Sequence, residues 1–265
     1  MKQMMISLAV VAMATTAPAQ DWAKANLEKS PRHQEWVKVT HGKRTVDCFV
    51  VYPEVKEKAT AVVVIHEIFG LTDWVRSVAD QLAEAGYIAI APDLLSGMGP
   101  KGGGTGDFTG TDEARKAISE LPPDQVTADL KAARDYVARL PAANGKVAVG
   151  GFCWGGRQTF RFATNDKDIK AAFVFYGNGP DTADDIARIQ CPVYGFYGGN
   201  DARVNATIPQ SAEWMRKAGK TFEPVTYEGA GHGFMRAGEA PDASEANKKA
   251  RDEAWKRVKE LLKGI

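Results

Sequence analysis

The stretch Gly151-Phe152-Cys153-Trp154-Gly155 fences a thiol between two glycines. It follows an apolar run at residues 147–149 and precedes a segment of helical character. A nucleophile flanked in this way, on a sharp strand-to-helix turn, projects clear of the backbone at the top of a sheet. Side chains at the flanking positions would collide with neighbouring backbone, and glycine removes that clash. The start of a helix carries partial positive charge, which favours a thiolate. The N–H of Trp154 would then point at a developing oxyanion. The plainer alternative is a buried cysteine in a glycine-rich turn. Glycine at both positions, with strand and helix on either side, argues against it.

A nucleophile of this kind needs a base, and the base needs an orienting group. On a strand–turn–helix scaffold these follow in the order nucleophile, acid, histidine. His232, in EGAGHGF, is the single histidine after Cys153. The best acid between them is Asp201, in YGGNDARV, directly after an apolar strand-like run. Asp166, Asp168, Asp181, Asp184 and Asp185 compete, but they lie in polar stretches that follow no buried strand.

The elements that must position these groups are legible from periodicity. Residues 35–39 and 46–52 read as an antiparallel hairpin around HGKRT. AVVVIHE is continuously apolar at its start, as suits a strand buried on both faces. GYIAIAPD, KVAVGGF, AAFVFYG, PVYGFYGG and FEPVTYEG supply further strands. Helical spacing runs through residues 74–83, with Gly86 as the stop, and through 125–140, with Pro141 beyond it. Helices are also expected at 155–164, 207–218 and 244–262. Strand and helix in alternation predict an α/β domain: a mostly parallel sheet of about eight strands, flanked by helices on both faces, after an N-terminal antiparallel hairpin. That single domain should span residues 35–265, with residues 20–34 as a loose polar leader.

Residues 97–110 hold seven glycines and a G-x-G-x-x-G match from Gly97 to Gly102. No amphipathic helix opens directly behind it and no GK[ST] follows, so the segment reads as a mobile loop beside a site rather than a nucleotide cradle. The chain balances 34 Lys and Arg against 33 Asp and Glu, which gives no footprint for nucleic acid. Residues 1–19 combine Lys2, a short apolar core and Ala17-Pro18-Ala19, the pattern of a cleaved export signal. An uncleaved anchor is the alternative, against which the shortness of the apolar run counts. The expected location is therefore periplasmic or secreted, without membrane attachment after cleavage. Three cysteines leave at least one unpaired, and Cys48 and Cys191 sit in apolar strand-like surroundings that suit small core residues. No metal-ligand spacing and no cofactor fingerprint is present.

The chain resembles the dienelactone hydrolase (carboxymethylenebutenolidase) family of the α/β-hydrolase fold. The resemblance rests on HEIFGL at 66–71, GYIAIAPDLL at 86–95, GGFCWGG at 150–156, YGGND at 197–201 and GHGFMR at 231–236. It implies a triad of Cys153, His232 and Asp201. It also implies that Glu67 contacts the resting thiol and controls its ionisation, since a buried carboxylate disfavours a second negative charge beside it. Ile68 N–H becomes the second oxyanion donor beside Trp154. Arg236 becomes the ligand of a substrate carboxylate, a task suited to a guanidinium with parallel donors. Family members acting on dienelactone carry a second arginine after the APDL strand. Gly97 stands near that place here, so half of the anion clamp is missing.

These readings converge on hydrolysis of a small ester or lactone through a cysteinyl thioester. Phe69, Trp154 and Phe234 suggest a small, partly hydrophobic substrate, though each could equally be core. A binding or sensing protein on the same scaffold is the rival, and a redox protein a third reading that lacks a nearby resolving thiol. The family is often monomeric, and a monomer is expected. The export reading has a direct consequence: N-terminal sequencing of the processed protein should start at Gln20.

Overall fold

The computed structural model describes residues 20–265. The export signal read over residues 1–19 lies outside the described residues. Helix α1 (Asp21–Lys29) precedes the hairpin β1 (Gln34–His41) and β2 (Arg44–Val51). Then come β3 (Ala59–Ile65), α2 (Asp73–Glu84), β4 (Ile88–Pro92), α3 (Thr111–Ser119), α4 (Pro123–Ala138), β5 (Ala143–Phe152) and α5 (Trp154–Asn165). The C-terminal half runs β6 (Ala172–Phe175), α6 (Ala183–Ala187), β7 (Val193–Gly198), α7 (Ala202–Asn205), α8 (Ile208–Lys217), β8 (Phe222–Tyr227), α9 (Phe234–Ala237) and α10 (Glu245–Leu262).

The eight strands form one sheet in the order β1-β2-β4-β3-β5-β6-β7-β8. β2 joins both β1 and β4 antiparallel, and every later pairing is parallel. All seven residues of β3 are buried, which explains its unbroken apolarity. Val63 and Ile65 face a core shared with α3, α4 and α5, while Val62 and Val64 face one shared with α1, α2 and α10. The chain winds from β3 out to β4 and back across to β5, so the sheet's order reverses between β3 and β5. Open α/β sheets place their ligands at the carboxyl ends of the strands beside such a reversal.

Two expectations are corrected. Residues 20–34 are not loose. α1 buries Ala23 and Leu27, and Gln20 Oε1 accepts the Trp74 N–H at 3.0 Å, capping α2 in place of Thr72. At the far end, Ser30 and Arg32 both reach the buried Asp80. The glycine-rich segment is not a free lid either. Asp93, at the end of β4, accepts both the N–H (2.7 Å) and the hydroxyl (2.7 Å) of Thr105, and Asp107 accepts the Gly103 N–H at 2.8 Å. Thr105 Oγ1 in turn accepts the Leu71 N–H at 3.0 Å, tying this segment to the loop after β3. Asp107 lies within the segment and Asp93 just before it, but hydrophobic periodicity carries no sign of which side chains bond. Cys48 and Cys191 are free and buried, and burial pushes the Cys191 thiol up to about 12.

Asp129 of α4 is nearly inaccessible and receives Arg44 Nε on both oxygens, at 2.9 and 2.8 Å. Arg44 also donates to the carbonyls of Leu94 and Ser96, so one side chain binds the hairpin, α4 and the loop after β4. Removing Arg44 would leave this buried carboxylate with only His41, whose Nε2 lies 2.6 Å from Oδ1, to offset its burial. Arg44→Met should therefore lower unfolding stability by roughly 3 kcal/mol in urea melts. A loss below about 0.5 kcal/mol would show that Arg44 merely decorates the surface.

Candidate active site

Cys153 occupies the turn between β5 and α5, with φ 57° and ψ −114°. It is one of two non-glycine residues with positive φ among those described. The geometry holds because α5 comes almost into contact with β3. A methyl group on Gly155 would overlap the carbonyl oxygens of Ile65 and His66, and one on Gly151 would overlap the Gly155 carbonyl. Cys153 N–H donates to Phe175 O at 3.0 Å, which fixes the turn to the end of β6.

His232 reaches the same edge from the loop between β8 and α9. That loop is laced to the one after β7: Asn200 N–H donates to Ala230 O at 2.9 Å and Asn200 Nδ2 to Gly229 O at 3.0 Å. Asp201, 6% exposed, divides its oxygens between two tasks. Oδ1 accepts the Val204 N–H and caps α7, and Oδ2 accepts His232 Nδ1 at 2.5 Å. Nε2 is left for Cys153. Hydrogen bonding to Cys153 is the largest cause lifting the His232 pKa to about 9; Asp201 adds to it, and partial burial opposes both. Asp201 is thus the carboxylate that meets His232. Asp166 is instead paired with Arg134, and Asp181 and Asp185 with Arg157 and Arg188.

Glu67 follows β3 and is 2% exposed. Its bond in this structure is to Arg236, whose Nε donates to Oε2 at 2.8 Å; the expected contact with the thiol is not the one made. Arg236 likewise is not an idle anion clamp, because Glu67 already holds one edge of it. Its guanidinium lies 5.6 Å from the Phe69 ring centroid. Burial pushes the Glu67 carboxyl up and Arg236 pulls it down, while Glu67 keeps Arg236 charged against its own burial. Among the described residues, the N–H groups of Ile68 and Trp154 meet no acceptor.

Phe234 is corrected: it is fully buried, packs on Tyr176 and Tyr227 at 5.4 and 5.2 Å, and does not line the site. His66, passed over in the sequence, is structural here. Buried and held neutral by desolvation, it donates from Nδ1 to Glu67 O at 2.8 Å, accepts the Leu94 N–H on Nε2, and stacks on Trp154 at 5.5 Å. Tyr176 was also passed over. It stands at the end of β6 with φ 40°, its ring edge-on to His232 at 5.1 Å. The signal available is its position, one residue past an apolar strand as Cys153 is, with Glu67 two and Asp201 three residues past theirs.

Residues 46–265 match the dienelactone hydrolase family. The chain belongs to that family. It is 34% identical over 214 residues, three quarters of each chain, to a Salmonella typhimurium protein assigned as a carboxymethylenebutenolidase. A similarly assigned Escherichia coli K12 protein is 34% identical over 220 residues, 76% of each chain. A Klebsiella pneumoniae crystal structure assigned as a dienelactone hydrolase superposes with a TM-score of 0.76 at 26% identity, covering 88% of this chain and 99% of that one. The family match begins at residue 46, so α1 and β1 of this member lie before it.

The raised His232 pKa fixes a pH dependence. The folded value of about 9 exceeds the unfolded value near 6.5. Stabilisation from the imidazolium is complete below ~pH 6.5 and lost as pH rises through 9. Urea midpoints should therefore fall between ~pH 6.5 and 9, and NMR should place the His232 titration near the upper value. Cys153→Ala should lower that titration more than Asp201→Asn does. The opposite ranking would mean that the carboxylate, not the thiol, dominates the histidine.

Proposed function

We propose that this family member hydrolyses a small ester or lactone by covalent cysteine catalysis. What supports the reading is the His232–Asp201 hydrogen bond, together with Cys153 in its strained turn at the sheet's switch point as the strongest influence on the same histidine. Cys153 Sγ attacks the carbonyl carbon, and the Ile68 and Trp154 N–H groups receive the negative oxygen. His232 passes a proton to the departing alcohol oxygen, and Asp201 holds the ring so that Nε2 faces the reaction. Water, deprotonated by His232, then attacks the thioester and returns Cys153 to its starting state.

Glu67 and Arg236 complete the reading. Joined as they are, their charges cancel beside Cys153, so Glu67 does not oppose a thiolate there. The outer edge of Arg236 remains to receive an anionic group on the substrate. With Gly97 where relatives acting on dienelactone carry a second arginine, recognition of the anion rests on Arg236 alone. This favours substrates with one carboxylate and a modest apolar body against Phe69 and Trp154. We place this activity outside the cytoplasm, following the leader at residues 1–19.

Purified protein should hydrolyse p-nitrophenyl acetate, and Cys153→Ala should lose at least about 1,000-fold in kcat/KM. A Cys153→Ala protein as active as the parent would end the covalent mechanism. A folded parent with no turnover on a panel of esters and lactones would favour a binding protein on a hydrolase scaffold.

A further inference from the structure

A cavity of about 650 Å³ lies between the start of α1 and the segment that joins α9 to α10. The steps assigned to Cys153, His232 and Asp201 make no use of it. Cavities that hold drug-sized molecules run to roughly 300–1,000 Å³, so this one has room for far more than a small lactone ring. Its apolar wall is Trp22 with Ala237, Ala240 and Pro241. Trp22 is partly buried: it packs against the core and also lines the cavity. A tryptophan divided in this way is a good anchor for a flat apolar group.

Gln20 and Asn247 also line the cavity, and the fold has committed one end of each amide. Gln20 Oε1 accepts the Trp74 N–H at 3.0 Å, and Asn247 Oδ1 accepts the Gly231 N–H at 3.0 Å. Neither NH2 group donates to any of the described residues, so both remain to serve a ligand's acceptor. The cavity meets the candidate active site at two points. Arg236, which holds Glu67, forms part of its wall. Asn247 holds Gly231, the residue directly before His232.

We propose that this cavity is the subsite for the alcohol half of the ester, and that it takes a neutral, flat aromatic alcohol whose far edge bears a hydrogen-bond acceptor. This rests on the hydrolase reading above and deepens it by naming the leaving group. In that reading His232 protonates the departing oxygen, so the alcohol is the half of the ester on the His232 side, where the cavity lies. Trp22 packs on the aromatic face, and the NH2 groups of Gln20 and Asn247 receive the acceptor. No carboxylate is needed, and the Glu67–Arg236 pair stays joined throughout. Trp22 and Gln20 stand before the family match, so this member draws a specificity-determining wall from outside it.

The test compares wild type with Trp22→Ala, which enlarges the cavity, and Ala240→Trp, which fills it. Ala240→Trp removes no packing contact, so it decides the matter if Trp22→Ala loosens α1. The substrates are phenyl acetate and 4-methylumbelliferyl acetate, both neutral. Each gives its acetyl group to Cys153 as the ester C–O bond breaks, and the phenol leaves with the proton from His232. The thioester and its hydrolysis are therefore common to both, and only the departing phenol differs. The ratio of kcat/KM for the larger ester to that for phenyl acetate should fall on the order of 10-fold in each variant, as befits loss of an aromatic contact. Fluorescence polarisation of free 4-methylumbelliferone reads the cavity without turnover, and its Kd should rise by a similar factor. An unchanged ratio in folded Ala240→Trp would overturn the proposal, as would wild type that fails to bind 4-methylumbelliferone. Equal losses on both esters would make this wall a brace for the His232 loop and overturn it too. Binding that weakens in both variants, with neither ester hydrolysed by wild type, would support the cavity as a ligand site and sink the hydrolase reading alone.

Discussion

The approach of α5 to β3 at Cys153 is the constraint from which the rest of the site follows. Backbone meets backbone there, with no room for a β-carbon at Gly155. That contact forces the chain to turn within one residue, and the residue at the turn must take a conformation that costs a non-glycine side chain about 1–3 kcal/mol. The strain is held by the sheet around it. β5 lies between β3 and β6, and Cys153 N–H is anchored to Phe175 O. A looser turn would let the thiol swing away from His232, and the histidine would lose the partner that most raises its pKa.

The groups around the thiol share one origin. Glu67 follows β3, Cys153 follows β5, Tyr176 follows β6 and Asp201 follows β7, with His232 after β8. Parallel strands all end at the same edge, so residues far apart in the chain meet there. The rigid sheet sets the spacing, while short loops braced by Asn200, Thr105 and His66 set the orientation. Charge is then arranged in two couples. One joins Cys153 and His232 with Asp201 behind, and the other joins Glu67 and Arg236. Because both couples are partly buried, each group's ionisation depends on where its partner is. A substrate that moves one partner therefore changes the chemistry of the other.

The N-terminal segment adds a feature that stands before the family match. α1 lies against α2 and supplies, through Gln20, the cap that Thr72 fails to make. α2 in turn carries Trp74, which bonds Glu239 in the loop just after α9. Since α9 contains Arg236, the start of the chain is connected by hydrogen bonds to the part of the protein that binds Glu67.

Periodicity and short motifs determined the sheet, its eight strands, the five longest helices and the chain order of Cys153, Asp201 and His232. Those features are local: alternating or continuous apolarity and a pair of glycines around a thiol carry them within a few residues. α3 escaped because Ala114 and Ile118 alone give it a buried face, too little for a pattern. Tertiary structure alone decided what each polar side chain touches. The resemblance implies a contact between Glu67 and the thiol, and the fold pairs Glu67 with Arg236, 169 residues away. Phe234 suits a pocket wall by type and position and is core. The glycine-rich segment reads as mobile from its composition and is pinned by Asp93, just ahead of it in the chain. Hydrogen bonds and ion pairs reach across the fold with no trace in local spacing, because each is chosen only once the sheet has brought its two ends together.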